Sequence, residues 1–229
     1  MAESPGRTFA ASRPVRLSDV DATGRLRLDA VARYLQDVAA DDVLDAGWSP
    51  DEHIWVVRRT ELDVRQPFVD DTQVELVTWC AGTAAAAAAR RTTVQGDRGG
   101  RVEAEMTWIH LGRDLQPLRL GERFLAVYGT SAAGRRASTR LVLPPPPPQV
   151  RRLDWQVRST DVDRLGHMNN AAYWAAVEEL WGGRLHAPVR LVLEYRSPID
   201  RFEDVAVRQT ENSLWLTVGD DVRAAASVA

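Results

Sequence analysis

The sequence has 229 residues, of which 45% are hydrophobic and 27% are charged, and its formal net charge is −3. A chain of this length and composition can bury a substantial core, but it lacks the concentrated positive charge that nucleic-acid binding requires. Its one cysteine, Cys80, excludes an internal disulfide and a zinc site built from several cysteines. The 4 histidines lack ligand spacing and no phosphate-binding glycine motif is present, so we expect neither a metal nor a cofactor.

The N-terminal residues 1–12 have the composition of a flexible tail. They contain no apolar core of signal-peptide length. No stretch of the chain approaches the ~20 apolar residues that are needed to span a membrane. We therefore expect a cytoplasmic protein with no membrane partner.

The segment DVDATGRLRL at residues 19–28 is typical of a turn that leads into a helix. After it, apolar residues recur at the three- and four-residue spacing of one buried helix face: Leu28, Val31, Leu35 and Val38. Strands are predicted next, in TELDVRQPFVDDTQVEL (60–76) and in a hairpin that turns at Gly99–Gly100. The first half is thus predicted to be a turn, a helix and several antiparallel strands.

Small residues occupy the middle of this strand region. Cys80 follows the alternating run VELVTW, which favours a buried strand residue over a nucleophile. The run AAAAAA at residues 84–89 prefers a helix by intrinsic propensity. Its position between two strand-like segments favours a strand instead, whose small side chains would leave room for a long ligand.

The clearest boundary is LVLPPPPPQV at residues 141–150, because consecutive prolines favour an extended spacer and exclude helix and sheet interior. The preceding GTSAAGRRAST (129–139) has the composition of a loop. We therefore divide the chain into a first half at residues 13–130, a proline-rich linker at 131–150 and a second half at 151–229.

The second half repeats the layout of the first. DVDRLGHMNN at residues 161–170 matches the earlier turn at a constant spacing of 142 (163 − 21). A helical pattern again follows, through Tyr173, Val177, Leu180 and Trp181. Strands are predicted in LVLEYRSPIDRFEDVAV (191–207), whose Pro198 matches Pro67 at a spacing of 131 (198 − 67), and in a hairpin that turns at Gly219–Asp220.

Helices and antiparallel strands in this order indicate the α+β class. A long apolar helix wrapped by an antiparallel sheet is the hotdog arrangement. Two such repeats in one chain predict a double hotdog, in which the halves pair as a pseudo-dimer with one continuous sheet.

The stretch DVDRLGHMNNAAYWAAVEE resembles the D-x-D-x-x-G-H-x-N-N-x-x-Y motif of hotdog thioesterases. Together with the tandem layout and LVLEYRSPIDRFEDV, it resembles the acyl-acyl carrier protein thioesterases, a family that includes the plant enzymes that terminate fatty-acyl chains. The resemblance spans residues 13–220. It implies hydrolysis of a fatty acyl thioester of acyl carrier protein or coenzyme A, by a monomeric pseudo-dimer or a homodimer.

The residues of this motif suit thioester hydrolysis, which needs an attacking group and a stabiliser for the carbonyl oxyanion. Asp163 can deprotonate water or attack the carbonyl directly. His167 can donate a hydrogen bond to the carbonyl or hold the water. Backbone N–H groups around Gly166 and His167 are candidates for the oxyanion hole, since we expect them at a helix N-terminus.

These residues also have structural explanations. Asp163 could satisfy backbone donors in a tight turn, as Asp21 does in the first half. Asn169 and Asn170 complete the candidate catalytic set, but Asn170 also sits where it could cap the helix, and Asn169 could reach either the turn or the ligand.

Candidate substrate-binding residues lie on the helix after the motif: Tyr173, Trp174 and Glu179. Further tryptophans are candidates for the walls of an acyl pocket shared by the two halves: Trp55, Trp79 and Trp108. Each is also a common type of core residue.

The sequence departs from the family pattern at two places. Leu165 occupies the position of an asparagine in the catalytic loop of the plant enzymes, and a downstream glutamate aligns with Pro198. The first half has Arg25 where the second has His167, so we expect it to shape the acyl pocket without catalysing. An acyl-coenzyme A thioesterase and a non-catalytic acyl-binding module remain the alternatives.

Overall fold

Two central helices pack together with a ten-stranded antiparallel sheet in the computed structural model, which describes residues 6–49 and 54–229. The helices are α1 (Leu28–Asp45), α2 (Glu122–Ala132) and α3 (Asn170–Trp181). The strands are β1 (Thr8–Pro14), β2 (Ile54–Gln66), β3 (Gln73–Ala84), β4 (Ala87–Gly96), β5 (Arg101–Leu111), β6 (Arg151–Trp155), β7 (Val189–Tyr195), β8 (Val205–Gln209), β9 (Ser213–Val218) and β10 (Asp221–Val228). No helix in the described part of the chain is both long and apolar enough to cross a membrane.

The strand order shows one five-stranded unit used twice. It runs β1-β3-β4-β5-β2 through the first half and β7-β10-β9-β8-β6 through the second, which is the same order reversed. The halves join where β2 pairs with β7, with Thr60 opposite Leu193. The predicted α+β double hotdog with one continuous sheet is therefore confirmed.

The predicted helical stripes explain why α1 and α3 occupy the centre. Leu28, Val31, Leu35 and Val38 are all buried on α1, and α1 packs directly against α3. On α3 the corresponding stripe is buried as well, except that Leu180 is only partly covered. Packing of both faces, rather than helix propensity, therefore stabilises these helices.

The two repeated turns have the same backbone structure. Asp21 N donates to Arg25 O at 2.8 Å, and Asp163 N donates to His167 O at 2.9 Å. Gly24 and Gly166 have φ values of 80° and 83°, a left-handed conformation that other L-residues rarely adopt. The duplication thus extends from the sequence to individual hydrogen bonds.

Two segments differ from the sequence-based expectation. Residues 8–12, predicted to belong to the tail, form most of β1, because their alternate side chains cover the edge of the sheet beside β3. α2 was not predicted, and it includes residues 129–132, which were assigned to a loop by composition. It is held by packing of its apolar residues against β3 and the end of α1.

The alanine run forms a hairpin rather than a single strand. Ala84 ends β3, residues 85–86 make the turn and Ala87 begins β4. Tertiary pairing with β5 on the far side of β4 overrides the helix propensity of alanine.

The proline-rich linker is bound along the second half. Val142 N and Leu143 N donate to the carboxylate of Glu194 at 2.6 and 3.1 Å, and Glu194 is 0% exposed. Trp215 Nε1 donates to Pro144 O at 2.8 Å. The linker is therefore an ordered strap whose path is set by buried polar contacts.

Candidate active site

Asp163 lies on a partly exposed loop just before α3. Its Oδ1 accepts one hydrogen bond, from Leu165 N at 2.8 Å. The equivalent Asp21 accepts from Thr23 N at 2.8 Å, from Thr23 Oγ1 at 2.7 Å and from Arg25 N at 3.0 Å, and it pairs with the Arg25 guanidinium at 3.0 Å. Within the described residues, Asp163 is therefore the less restrained carboxylate and has acceptor capacity left for a water or a substrate.

Hydrogen bonding also affects the charge state of Asp21. Desolvation by burial would raise the pKa of Asp21, but the hydrogen bonds from Thr23 and Arg25 lower it below its ordinary value. Asp21 is thus held as a structural carboxylate inside its turn. Leu165 lacks the hydroxyl of Thr23 and His167 lacks the guanidinium of Arg25, so among the described groups only the backbone N–H of Leu165 still donates to Asp163.

His167 faces a carboxylate that the sequence analysis missed. Its Nε2 lies 3.4 Å from Oδ1 of Asp200, with the two side chains 39% and 63% exposed. A backbone bridge between His167 and Asp200 sets this approach, and Met168 N donates to Ile199 O at 2.8 Å beside it. The sequence did contain a signal for Asp200: it is an acidic residue two positions after Pro198, and Pro198 aligns with the glutamate of the family pattern.

The expected oxyanion donors are arranged differently from the prediction. α3 begins at Asn170, so Gly166 and His167 precede the helix instead of forming its first turn. Gly166 N donates to Asp163 O at 3.0 Å and is used within the turn. A Cβ on Gly166 would meet no atom within 4 Å, so no neighbouring atom requires glycine here. The positive φ of Gly166 is what favours glycine at this position. Among described groups, the His167 N–H has no hydrogen-bond acceptor.

The helix cap is Asn169, one residue earlier than expected. Its Oδ1 accepts from Ala171 N at 2.9 Å. It also accepts from Gln36 Nε2 at 3.0 Å, and the same Gln36 amide contacts Asn170 Oδ1. Asn170 Nδ2 is buried and has no partner in the described structure. Gln36, from α1 of the other half, was missed by the sequence analysis.

An apolar cavity of about 290 Å³ opens beside these amides. It is lined by Gln36, Ala39, Ala40, Val43, Leu44, Trp48, Ser49, Trp55, Cys80, Ala88, Ala89, Arg90, Trp108, Phe124, Tyr128 and Arg164. We call this the aromatic cavity. Of these described residues only Arg164, next to Asp163, belongs to the second half.

Aromatic rings form much of the cavity wall. Trp48 stacks on Phe124 and Tyr128 with centroids 6.0 and 5.4 Å apart, and Trp55 lies 5.5 Å from Phe124. Of the predicted wall residues, Trp55 and Trp108 line the cavity. Trp79 is partly buried on β3 outside the lining set. The rings provide a rigid apolar surface of the kind that small-molecule sites use.

Cys80 also lines the cavity. It is buried, and its Sγ contacts Gly82 O at 3.6 Å. Burial raises the pKa of the Cys80 thiol, which keeps it protonated and poorly nucleophilic.

The three predicted substrate-binding residues do not line the aromatic cavity. Tyr173 and Trp174 are buried in the core of the second half, where Trp174 Nε1 donates to Tyr195 Oη at 3.1 Å. Glu179 is exposed on α3. The neighbouring Glu178 contacts the first half instead.

Glu178 closes the equivalent site of the first half. Its carboxylate pairs with Arg25 Nη2 and accepts from Leu28 N at 2.9 Å. Glu178 and Gln36 are equivalent positions, 142 residues apart (178 − 36). We call Asp21, Arg25 and Glu178 the closed pseudo-site. Arg25 stands at the position equivalent to His167, and its ion pairs with the two carboxylates fill the space around it. The described residues contain no group of His, Cys, Asp and Glu side chains suited to a metal.

Comparison with known proteins agrees with the tandem fold. The N-terminal domain model of the acyl-ACP thioesterases matches residues 6–126, and the C-terminal domain model matches residues 146–222. An uncharacterized protein of Mycobacterium tuberculosis is 36% identical over 230 residues, covering 97% of this chain and 92% of its own length.

Solved structures share the fold. The 12:0-ACP thioesterase from Umbellularia californica has a TM-score of 0.77 at 17% identity, covering 96% of each chain. An acyl-ACP thioesterase from Bacteroides thetaiotaomicron has a TM-score of 0.74 at 16% identity, again with 96% of each chain covered. With both domain models matched in order along one double hotdog, this chain belongs to the acyl-ACP thioesterase family and is a thioester hydrolase.

Proposed function

We propose that the chain hydrolyses fatty acyl thioesters of acyl carrier protein, with its chemistry in the second half and its acyl pocket in the first. The observation that carries this proposal is the less restrained carboxylate of Asp163, which precedes Arg164 in the wall of the aromatic cavity. The closed pseudo-site supports the same division of labour, since Arg25 and Glu178 fill the alternative position.

Asp163 supplies the attacking group in this proposal. It either takes a proton from water, whose oxygen then bonds to the thioester carbon, or attacks that carbon itself to form an anhydride that water hydrolyses. Either route breaks the carbon–sulfur bond. The sulfur leaves as a thiol after receiving a proton, and the acyl group leaves as a carboxylate.

His167 orients the reacting groups and stabilises charge. Its backbone N–H, which has no acceptor among the described residues, can donate to the carbonyl oxygen as negative charge develops there. Its imidazole has Asp200 on the Nε2 side, so Asp200 is a positioning residue that restricts the ring. The carboxylate of Asp200, in the loop after β7, thereby replaces the family glutamate, whose position is occupied by Pro198 in this chain.

The aromatic cavity receives the acyl chain. Its wall comes almost wholly from the first half, and Gln36 links that wall to Asn169 and Asn170 at the start of α3. The alternative carrier, coenzyme A, presents the same thioester to the same residues. A non-catalytic acyl-binding module is disfavoured, because such a module gains nothing from an exposed aspartate beside a histidine and a second carboxylate.

Thiol release from acyl-acyl carrier protein and acyl-coenzyme A, by the wild type and by Asp163→Asn, tests this function. General-base catalysis contributes about 10²–10⁴-fold, so we expect Asp163→Asn to lower kcat by at least about 100-fold. Asp21→Asn is the matched control, with an expected change below about threefold. Thermal melting checks that both variants fold.

The outcomes separate the alternatives. Equal losses in both variants would mean that the two halves both catalyse. A higher kcat/KM on coenzyme A substrates than on carrier-protein substrates would favour the alternative carrier. No release by the wild type from either carrier would overturn the proposed hydrolysis.

A further inference from the structure

One face of α1 forms a straight wall of the aromatic cavity. The lining residues Gln36, Ala39, Ala40, Val43 and Leu44 recur at three- and four-residue spacing, as one helical stripe does. This stripe covers about 12 Å of helix axis at ~1.5 Å per residue. Gln36 at its start contacts the two asparagines of the site, so the cavity extends away from the site along α1.

Among the described residues, the second half has a large side chain at the position that borders the aromatic cavity in the first. Ala39 and Trp181 are equivalent positions, 142 residues apart (181 − 39). Trp181 is 1% exposed and belongs to the core of the second half. Because an indole is far larger than a methyl group, a tryptophan at this position fills the space that Ala39 leaves empty.

Charged side chains border the cavity near the end of α1. Arg90 lines it and pairs with Asp42 at 2.7 Å, with the two side chains 12% and 1% exposed. Arg7 holds the other oxygen of Asp42 at 2.8 Å. Tyr128 lies against Arg90, whose guanidinium carbon is 5.6 Å from the ring centroid. A methyl end pressed against this ion pair would remove its remaining solvation without replacing it, which is costly.

Two independent measures give the size of the acyl group that fits. An engineered cavity of ~150 Å³ holds the six carbons of benzene, or ~25 Å³ per carbon, so about 12 carbons would fill the whole volume. A zigzag chain of ~1.5 Å bonds advances ~1.25 Å per carbon, so ~12 Å of wall accommodates about ten. Both measures favour about ten to twelve carbons over chains of ~16 or more in a fully inserted pose.

We infer that the aromatic cavity selects straight, medium-length acyl groups of about eight to twelve carbons, with Ala39 opening it and the Arg90–Asp42 pair limiting its depth. This inference rests on the proposed function and adds the substrate class. Ala39 and Arg90 are specificity-determining residues, because they line the cavity along the acyl chain, beyond Gln36, and not beside the thioester.

The test is a ladder of acyl thioesters from 4 to 18 carbons at even lengths, compared by kcat/KM. We expect the wild type to be fastest at about 8–12 carbons and at least about tenfold slower at ~16. Ala39→Trp, which copies the second half, should lose at least about tenfold at ~10 carbons and keep activity at ~4 within about threefold. Ala126→Trp, on the exposed side of α2, is the matched control and should leave the profile unchanged.

A smaller substitution guards against misfolding of Ala39→Trp. Ala88→Leu adds three carbons to the cavity wall and should move the optimum down by about two to four carbons. A wild-type profile that is flat from 4 to 18 carbons, or unchanged by both cavity variants, would overturn the inference while leaving hydrolysis intact.

Binding of free fatty acids separates the inference from the chemistry. Trp48, Trp55 and Trp108 line the cavity, so their fluorescence should respond to fatty acids of about 8–12 carbons. That response without any thiol release would sink the proposed hydrolysis and support the cavity. Thiol release without chain-length-dependent binding would support the proposed hydrolysis and overturn the inference about the cavity.

Discussion

Equivalent residues in the two halves differ in what surrounds them, and this difference distinguishes the candidate site from the closed pseudo-site. Asp21 is held by Thr23 and Arg25, whereas Asp163 is held only by Leu165 N among the described groups. Leu165 therefore has a physical consequence although it departs from the family motif. It lacks the hydroxyl with which Thr23 holds the Asp21 carboxylate.

Asp200 allows a test at the scale of one residue. Asp200→Asn should lower kcat about tenfold with KM within about twofold, because a neutral amide restrains the His167 ring less strongly than a carboxylate. Steady-state kinetics on one medium-chain thioester measure both constants. Asp200→Glu should restore part of kcat, and Asp204→Asn, exposed in the same loop, should change neither constant. A purely structural role for Asp200 would predict lower stability with unchanged kcat.

The elements that differ most between the halves are the two central helices. α1 has 18 residues and α3 has 12, and the additional turns of α1 carry Ala40, Val43 and Leu44 of the cavity wall. The two helices also exchange polar contacts at their N-termini. Gln36 reaches the start of α3, while Glu178 reaches the start of α1. The contact of Gln36 leaves neutral amides beside the candidate site. The contact of Glu178 forms an ion pair that closes the pseudo-site of the first half.

This exchange predicts a stability effect without a direct catalytic one. Glu178→Gln removes one of the two carboxylates that pair with the largely buried Arg25, the other being Asp21, and should cost about 2 kcal/mol of unfolding free energy. For a chain of this size that corresponds to about 4–8 °C in Tm. Calorimetry of the variant measures the loss, and its kcat below the transition should stay within about threefold. An unchanged Tm would show that the pair contributes nothing to stability.

At the scale of the whole molecule, the candidate active site is composite. The proposed reacting groups belong to the second half, while Gln36 and all of the described cavity lining except Arg164 belong to the first. β2–β7 pairing, the α1–α3 contact and the bound linker hold the halves in one orientation. The first half has therefore kept its structural role after losing the residues of the motif.

Gln36→Met tests this composite character. Methionine is close to glutamine in length but cannot bond Asn169 and Asn170, so the start of α3 should become less well ordered. We expect kcat to fall about tenfold with the chain-length optimum unchanged, because the cavity volume is preserved. Gln95→Met is the matched control, since within the described structure the Gln95 side chain bonds only Gly96 and Gly100 of a distant hairpin. A shifted optimum with full kcat would assign Gln36 to the pocket and not to the site.

Much of the fold was predictable because its signals are local. Three- and four-residue spacing predicted α1 and α3, and alternation with glycine turns predicted the hairpins. α2 and β1 were missed because their sequences lack a strong pattern, and contacts with β3 stabilise both. In the site, Asp163 and His167 belong to one short motif, whereas Asp200 and Gln36 reach it from distant parts of the chain.

The sequence by itself determined that the chain contains a duplicated turn and helix, and that only the second copy carries a histidine and two asparagines. Only the tertiary structure decided that Gln36 meets those asparagines, that Asp200 meets His167 and that Ala39 opens a cavity which Trp181 fills in the other half. The physical reason is the sequence separation of the residues that interact. Backbone conformation follows from neighbours along the chain, whereas contacts across the α1–α3 interface depend on how distant surfaces pack.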